Sequence, residues 1–427
     1  MVITNIKRIL DDVSVAYGIR WNAATDTMTA GIIVNGKFVA WDYSRMPVHD
    51  LCGRRCVRSL AGVRQYYLHP DDSSYKFDES AAVLTGADGQ VMSEFHQFHY
   101  IRKNDGDNRY CLVSRYPFYL QLSDSSYLRS SVHPWFYEGG LTAPVWKKYI
   151  SAFEGVLYDT SATSYVDGTG TLIYASGDKI HSVYGYRPVT YINRAEYRAG
   201  ASADGDYHQF GNVAKEALIL LFVTKYKSWN SQLKIPGYTE TSVMELAKIC
   251  KTGITSQLGN QDGSVTWAGA PAALRCSYDF SATPTIVLAN SFLGVENFFG
   301  HLWKYLDGIN VEFIGSPLTD ANVYLCNDPS AWADDTASGY DNTGFDLSFA
   351  SDYITDIADG YFLPIEASGG SYYTFFADYC WVPTTVGWRI AHSCGVLNAT
   401  VAAGLFSMYS TANSLYRHMS IGGRTTA

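Results

Sequence analysis

The sequence predicts an α+β fold, with a strand-rich first region and a second region of short strands, long loops and two helices. Three observations carry this. Asn35-Gly36 stands between the apolar runs 31–34 and 38–41, the strongest short-range signal for a β-hairpin. Residues 211–227 place Val213, Ala217, Leu220, Leu221 and Thr224 at helical spacing, and residues 239–251 do the same with Val243, Leu246, Ala247 and Cys250. Elsewhere the apolar runs are short and separated by turn residues, as at Asp88-Gly89 and Asp105-Gly106.

Taken in order, residues 1–30 read as a short helical or strand-like lead followed by a turn. The hairpin comes next, and strand-like runs continue to about residue 121. Residues 123–144 turn rich in Ser, Gly and Pro, which places a domain boundary there. A chain of 427 residues also exceeds one ordinary core. The expectation is a β-rich attachment region over 1–144 and a second domain over 145–427. In the second expected helix, Lys248 and Lys251 lie at the C-terminal end, where cations suit the dipole. No internal repeat is visible.

Composition excludes several functions. The net charge is −9, and the densest basic stretch is only Arg54, Arg55 and Arg58, too little to grip a phosphate backbone. Nucleic acid is not an expected partner. The longest apolar run, 217–223, is far short of the roughly 20 residues a membrane span needs, so no membrane insertion is expected. Residues 1–10 lack the apolar core of a secretion signal, so synthesis in a bacterial cytoplasm with release by lysis is expected. Eight Cys occur without a Cys-x-x-Cys pair, which argues for buried free thiols and against a zinc ribbon. Tyr is abundant, 33 residues against 32 Lys and Arg together. Tyr suits both binding interfaces and exposed sheet faces.

Catalytic and metal motifs are weak. Asp334, Asp335 and Asp341 lie in a loop, 328–346, of a composition that can hold Ca²⁺, but the EF-hand spacing is absent and the plainer reading is a solvated acidic loop. His96 and His99 fall in a stretch that reads as strand, where positions three apart face opposite sides. Gly168-Thr169-Gly170 lacks the third glycine of a dinucleotide loop and reads as a turn. No nucleophile elbow, phosphate loop or His-Glu-x-x-His motif is present. No cofactor and no metal are expected.

Gly294, Glu296, Asn297, Gly300, Trp303, Asp307 and Gly308 stand in a distinctive segment. It resembles the Gly-x-Glu-Asn-x-x-Gly-x-x-Trp-x-x-x-Asp-Gly segment of variable proteins diversified by retroelements, among them phage tail proteins. Weaker matches to the same family run in order along the chain: Tyr17-Gly18-Ile19-Arg20-Trp21, Met46-Pro47-Val48-His49, 88–92, 149–155, 185–190 and 323–329. At the end, Trp388-Arg389-Ile390-Ala391, Ala403-Gly404-Leu405-Phe406 and Ile421-Gly422-Gly423-Arg424 are similar to the frame around that family's variable region. The resemblance implies a C-type-lectin-like fold over 145–427, with a variable region at about 389–424. It also implies a phage tail-tip protein carried on the virion. The implied partners are a host cell-surface protein or glycan and other tail proteins, and the implied assembly is a homotrimer.

In that family, template adenines are mutagenised during reverse transcription, so Asn codons become many residues but not Lys, Glu, Gln, Met or Trp. Lys, Glu, Gln and Trp number 43 of 427 here, so the 29 residues 392–420 should hold about three. They hold none. Met408 and Met419 then read as unvaried positions, and Asn398 and Asn413 as unmutated Asn. The expected ligand-binding residues are His392, Ser393, Val396, Asn398, Thr400, Ser407, Tyr409, Thr411, Leu415, Tyr416, Arg417, His418 and Ser420, with Leu405, Phe406 and Ile421 buried beneath them. Tyr, Arg, His and small hydroxyls make a paratope-like mixture.

The plain alternative for this stretch is a terminal β-hairpin. Two other functions remain. A formylglycine-generating oxidase shares the implied fold and would use two copper-binding cysteines, for which Cys380 and Cys394 are the candidates, although that family's Arg- and Asn-bearing motifs are missing. A pilus-tip adhesin would require export. The expectation is a binding protein, not an enzyme.

Overall fold

A computed structural model describes residues 16–427 except 45, 241–242, 316–317, 319, 348–350, 372 and 374–375. Residues 1–15 of the lead expected over 1–30, and Thr241 of the Thr239-Glu240-Thr241 helix start, lie outside the described residues. The protein is a strand-rich α+β fold.

The hairpin signal is met. Thr27–Val34 pairs with Lys37–Ala40, and both residues between them take positive φ, Asn35 at 50° and Gly36 at 79°. That backbone matches the twist of the flanking strands. The hairpin is the edge of a six-stranded antiparallel sheet in the order Ser131–Val132, His99–Asp105, Asn108–Ser114, Tyr17–Asn22, Thr27–Val34, Lys37–Ala40. A second six-stranded sheet runs His208–Gln209, Thr425–Thr426, Lys147–Ser151, Gln90–His96, Cys52–Arg58, Arg64–Tyr67. Strands from both ends of the chain therefore share one sheet. A third, mixed sheet of nine strands is built around the long strand Trp303–Ile314, which lies between Asp320–Leu325 and Gly387–Ser393. Ile421–Gly422 adds to it in parallel.

The expected helix at 211–227 is present as α2, Asn212–Tyr226, which follows α1, Arg194–Ala201. It is not amphipathic in the expected one-faced sense. Every residue from 214 to 224 is buried, because α2 packs on Tyr17–Asn22 and Asn108–Ser114 of the first sheet and on Trp303–Ile314 of the third. The apolar run 217–223 suits a helix covered all round. Helix α1 was not anticipated, although its signal is in the sequence. Asn193 accepts from the Glu196 N–H while the Glu196 side chain accepts from the Asn193 N–H, a capping box.

Among the described residues of 239–251 the expected α-helix is absent, and a single 3₁₀ turn, Leu246–Lys248, forms. The segment's N–H groups are claimed from elsewhere. Glu240 donates to Leu397 O (2.6 Å), Cys250 to His301 Nε2 (3.1 Å) and Lys251 to Leu274 O (3.0 Å). Val243, expected inside, is 74% exposed. Lys248, expected at a helix C-terminal end, is buried with its ammonium on Glu240 (3.0 Å) and Val243 O (2.9 Å). Tertiary hydrogen bonds outweigh a local period of this length.

The apolar core runs across the expected 144/145 boundary. Tyr17, Trp21, Phe95 and Trp135 share one cluster with Leu218, Phe292, Phe376 and Phe406. Trp21 meets Trp229 and Phe376 edge-on at 5.6 and 5.8 Å. No helix among the described residues is long and apolar enough to cross a membrane.

Candidate functional site

The segment 389–424 is fixed from below before any of it reaches solvent. Leu405, Phe406 and Ile421 are buried, as expected of a frame. Phe406 sits edge-on to Trp229, Phe376 and Phe362 at 5.6, 5.4 and 6.0 Å. Its N–H donates to Asp378 Oδ2 (2.7 Å). Gly404 is required there, since a Cβ would stand 2.0 Å from Asp378 Oδ1.

The motif residues around Trp303 also turn out to be scaffold. Arg424 is buried and donates to Ser151 O (2.9 Å), Glu296 O (2.7 Å) and Asn297 O (3.0 Å). The Glu296 carboxylate accepts the N–H groups of Gly253 (2.8 Å) and Thr255 (2.7 Å). His301 receives the Cys250 N–H on Nε2, so its Nδ1 carries the proton and donates to Glu154 at 2.5 Å. Lys304 reaches the other oxygen of Glu154 at 3.1 Å. Burial alone would raise the Glu154 carboxyl, but His301, Lys304 and Arg424 override it and hold it at about 2. A dry cluster with its charges matched in this way holds geometry.

On this base lies an open cleft of about 200 Å³. Six expected binding residues line it: Val396, Asn398, Tyr409, Tyr416, His418 and Ser420. Its remaining walls are Trp303, Met244 and Ile421. Tyr416 and His418 stack with centroids 6.0 Å apart and planes 7° apart, and Trp303 packs on Tyr409 at 5.6 Å. Tyr416 is 37% exposed, and its neighbour Leu415 is 71% exposed. Burial lowers the His418 imidazole below its usual value. The cleft thus offers flat rings, a neutral imidazole, an amide and a hydroxyl, which suits stacking and directional hydrogen bonds.

Five of the thirteen expected residues are buried, and for His392, Ser393 and Ser407, which line no part of the cleft, this is a correction. His392 is walled in by Tyr305 (4.9 Å) and Tyr409 (5.6 Å), and burial drives its imidazole down to about 3. Ser393 lies against Cys394 Sγ at 3.1 Å. Ser407 donates to Ala402 O (2.7 Å) and accepts the Gly404 N–H (2.9 Å), bracing the turn. Val396 and Ser420 are also buried, though both border the cleft. His392 and Ser393 lie in a central strand of the nine-stranded sheet, while Val396, Ser407 and Ser420 are buried outside its strands. Thr400 and Thr411 are half-buried and line no part of the cleft. Arg417 is half-buried too, and Glu196 of α1 takes its guanidinium at 3.0 and 2.6 Å. Trp303 and Met244 had no expected site role. The motif marked Trp303 as special without saying why, and Met244 was hidden in the supposed helix.

The other candidates fall elsewhere. Asp334 is held by Arg194 (2.6 Å) and Arg198 (2.7 Å), and Asp335 accepts from Ser414. Among the described residues no group of three or more His, Cys, Asp or Glu is placed to hold a metal ion. His96 and His99 do not oppose each other across one strand. The chain turns between them, and both line a surface hollow beside Trp146. Cys380 and Cys394 are buried, and burial pushes the Cys380 thiol up to about 12. No protein-family model matches the sequence, and no curated protein matches it.

Proposed function

We propose that the chain is a receptor-binding protein of a phage tail, in which retroelement-diversified residues of a C-type-lectin-like domain present a ligand site. The observation that carries this reading is the convergence of Asn398, Tyr409, Tyr416 and His418 on one open cleft, while Leu405, Phe406, Ile421 and Arg424 beneath them are buried. A surface that varies needs a frame that does not. The lack of Lys, Glu, Gln and Trp across 392–420 agrees with diversification from an Asn-rich template. The partners are a host-surface protein or glycan, together with other tail proteins in a trimer. The protein acts by binding and carries out no turnover.

The test is binding of the labelled, purified chain to a panel of intact bacterial strains, read by flow cytometry. Tyr409→Ala, Tyr416→Ala and His418→Ala should each cut binding to a susceptible strain about tenfold or more while the fold persists. Binding unchanged in all three variants would remove the cleft from recognition. A template repeat and a reverse transcriptase beside the coding sequence are the second expectation.

A further inference from the structure

The surface hollow beside Trp146 measures about 410 Å³, within the size range of small-molecule sites. It lies where the first two sheets meet. Its rim is the turn that joins Gln90–His96 to His99–Asp105, the segment 115–117 that follows Asn108–Ser114, and Trp146, which leads into Lys147–Ser151. The Gln97 N–H donates to Trp146 O (2.9 Å) and ties the turn to that residue. The hollow shares no lining residue with the C-terminal cleft.

Its two aromatic side chains are open to an occupant. Trp146 is 78% exposed, and among the described residues no other ring packs on it. Tyr116 is 50% exposed. A bare indole face attracts C–H groups, whose partial positive charge meets the negative face of the ring.

The charge in the wall is positive and unanswered. Arg115 is exposed, and its guanidinium, 5.8 Å from the centre of the Tyr116 ring, pairs with no carboxylate among the described residues. Among those residues no Asp or Glu lines the hollow. Glu94, which His96 touches at 3.1 Å, is already shared by Arg64 (3.0 Å) and Lys147 (2.9 Å). The whole chain carries −9. At physiological salt, charges beyond about 8 Å are largely screened, so the local cations decide which ions enter.

The neutral polar groups are accessible and uncommitted. The Gln97 carboxamide and the Trp146 N–H bond to no described residue, and neither is sealed from solvent. His99 has its Nδ1 sealed, which leaves Nε2 as the ring atom for a partner. Burial and the nearby Arg129 guanidinium lower that imidazole, so it is neutral at pH 7. A flat aryl acid would serve Arg115 and Trp146 and leave Gln97 and His99 unmet. Sugar hydroxyls both donate and accept, so a sugar serves them too.

We infer that this hollow is a second binding site, for a carboxylated sugar, with the sugar ring on Trp146, its carboxylate on Arg115 and its hydroxyls on Gln97 and His99. The probes are methyl β-glucuronide and methyl β-glucoside, which differ only in a carboxylate against a hydroxymethyl group. In ligand-observed NMR titrations of the full chain, the glucuronide should bind saturably and about tenfold or more tighter than the glucoside, the worth of a hydrogen bond to a charged partner. Arg115→Gln should bring the two probes to equal affinity. Trp146→Ala should weaken both about tenfold. Both side chains are exposed, so each variant should melt with the parent. Tyr416→Ala, in the C-terminal cleft, should leave glucuronide binding unchanged, which separates this site from the cleft. Absence of saturable glucuronide binding, equal affinity of the unaltered protein for both glycosides, benzoate binding as tightly as the glucuronide, or glucuronide binding lost in Tyr416→Ala and kept in Trp146→Ala would each overturn the assignment.

Discussion

Display and scaffold separate most cleanly at Phe406 and Tyr416. Phe406 is 1% exposed and meets three aromatic rings edge-on. Truncation to Ala removes a buried ring, leaves a cavity and forfeits those contacts, so it should cost about 4 kcal/mol. Unfolding entropy near 2.1 cal/mol/K per residue gives the 427-residue chain about 0.9 kcal/mol/K. The melting temperature should then fall by about 4–5 °C. Tyr416→Ala loses one stacked contact, to His418, while the Tyr305 hydroxyl still donates to the backbone carbonyl of residue 416 (3.0 Å). Its cost should stay below about 1 kcal/mol, or roughly 1 °C. Differential scanning calorimetry on the two variants and the parent reads the contrast directly. Equal depressions for Phe406→Ala and Tyr416→Ala would refute the division into frame and display, as would a Phe406→Ala melt within 1 °C of the parent.

Gly404→Ala should destabilise by about 2 kcal/mol or more, because its methyl group would overlap Asp378 Oδ1; urea unfolding reads this as a lower midpoint. Acid should unfold the protein early. Burial sets the His392 imidazole at about 3 against 6.5 when exposed, so the unfolded chain takes up the proton first as pH falls, and the stability present above about 6.5 is lost between 6.5 and 3. The loss at pH 5 is about 2 kcal/mol, and His392→Phe should remove it, giving a flatter melting-temperature profile between pH 7 and 5. Glu154 acts lower. Its carboxyl is held at about 2 against 4.5, so its contribution is complete above 4.5 and disappears as pH falls from 4.5 to 2; Glu154→Gln should lower stability at pH 7 and narrow the gap to the parent at pH 3. Arg417→Ala should change stability by less than about 1 kcal/mol, since its pair with Glu196 is partly exposed; a thermal melt beyond that would mark Arg417 as frame.

The sequence made the local signals legible and the tertiary decisions much less so. Asn35-Gly36 could be read because two positive-φ residues in a row leave few alternatives. Helix α2 could be read from its spacing, but its burial on all sides depended on two sheets closing over it. The described residues of 239–251 have the same spacing and no α-helix, because Leu397, His301 and Leu274 take N–H groups of the segment. At the cleft, the buried trio Leu405, Phe406 and Ile421 followed from the frame motif. His392 and Ser393 were misplaced because strand alternation says which residues share a face, not whether that face is covered, and Ser407 because its hydroxyl is used within the turn, on Ala402 O and the Gly404 N–H. Arg417 was expected free, and the Glu196 that meets it lies on a helix left unread.

Thr425–Thr426 fills the slot between His208–Gln209 and Lys147–Ser151, and Arg424 reaches back to Ser151 across 273 residues. A ribosome adding about 5–20 residues per second needs roughly 15–55 s to cover that interval. For that time the sheet has an open seam with unpaired backbone groups, the condition under which nascent chains stick to one another. The seam closes only after residues 389–424 have been translated. A substitution within 389–424 that the frame cannot seat would leave this seam open and its strand edges unpaired.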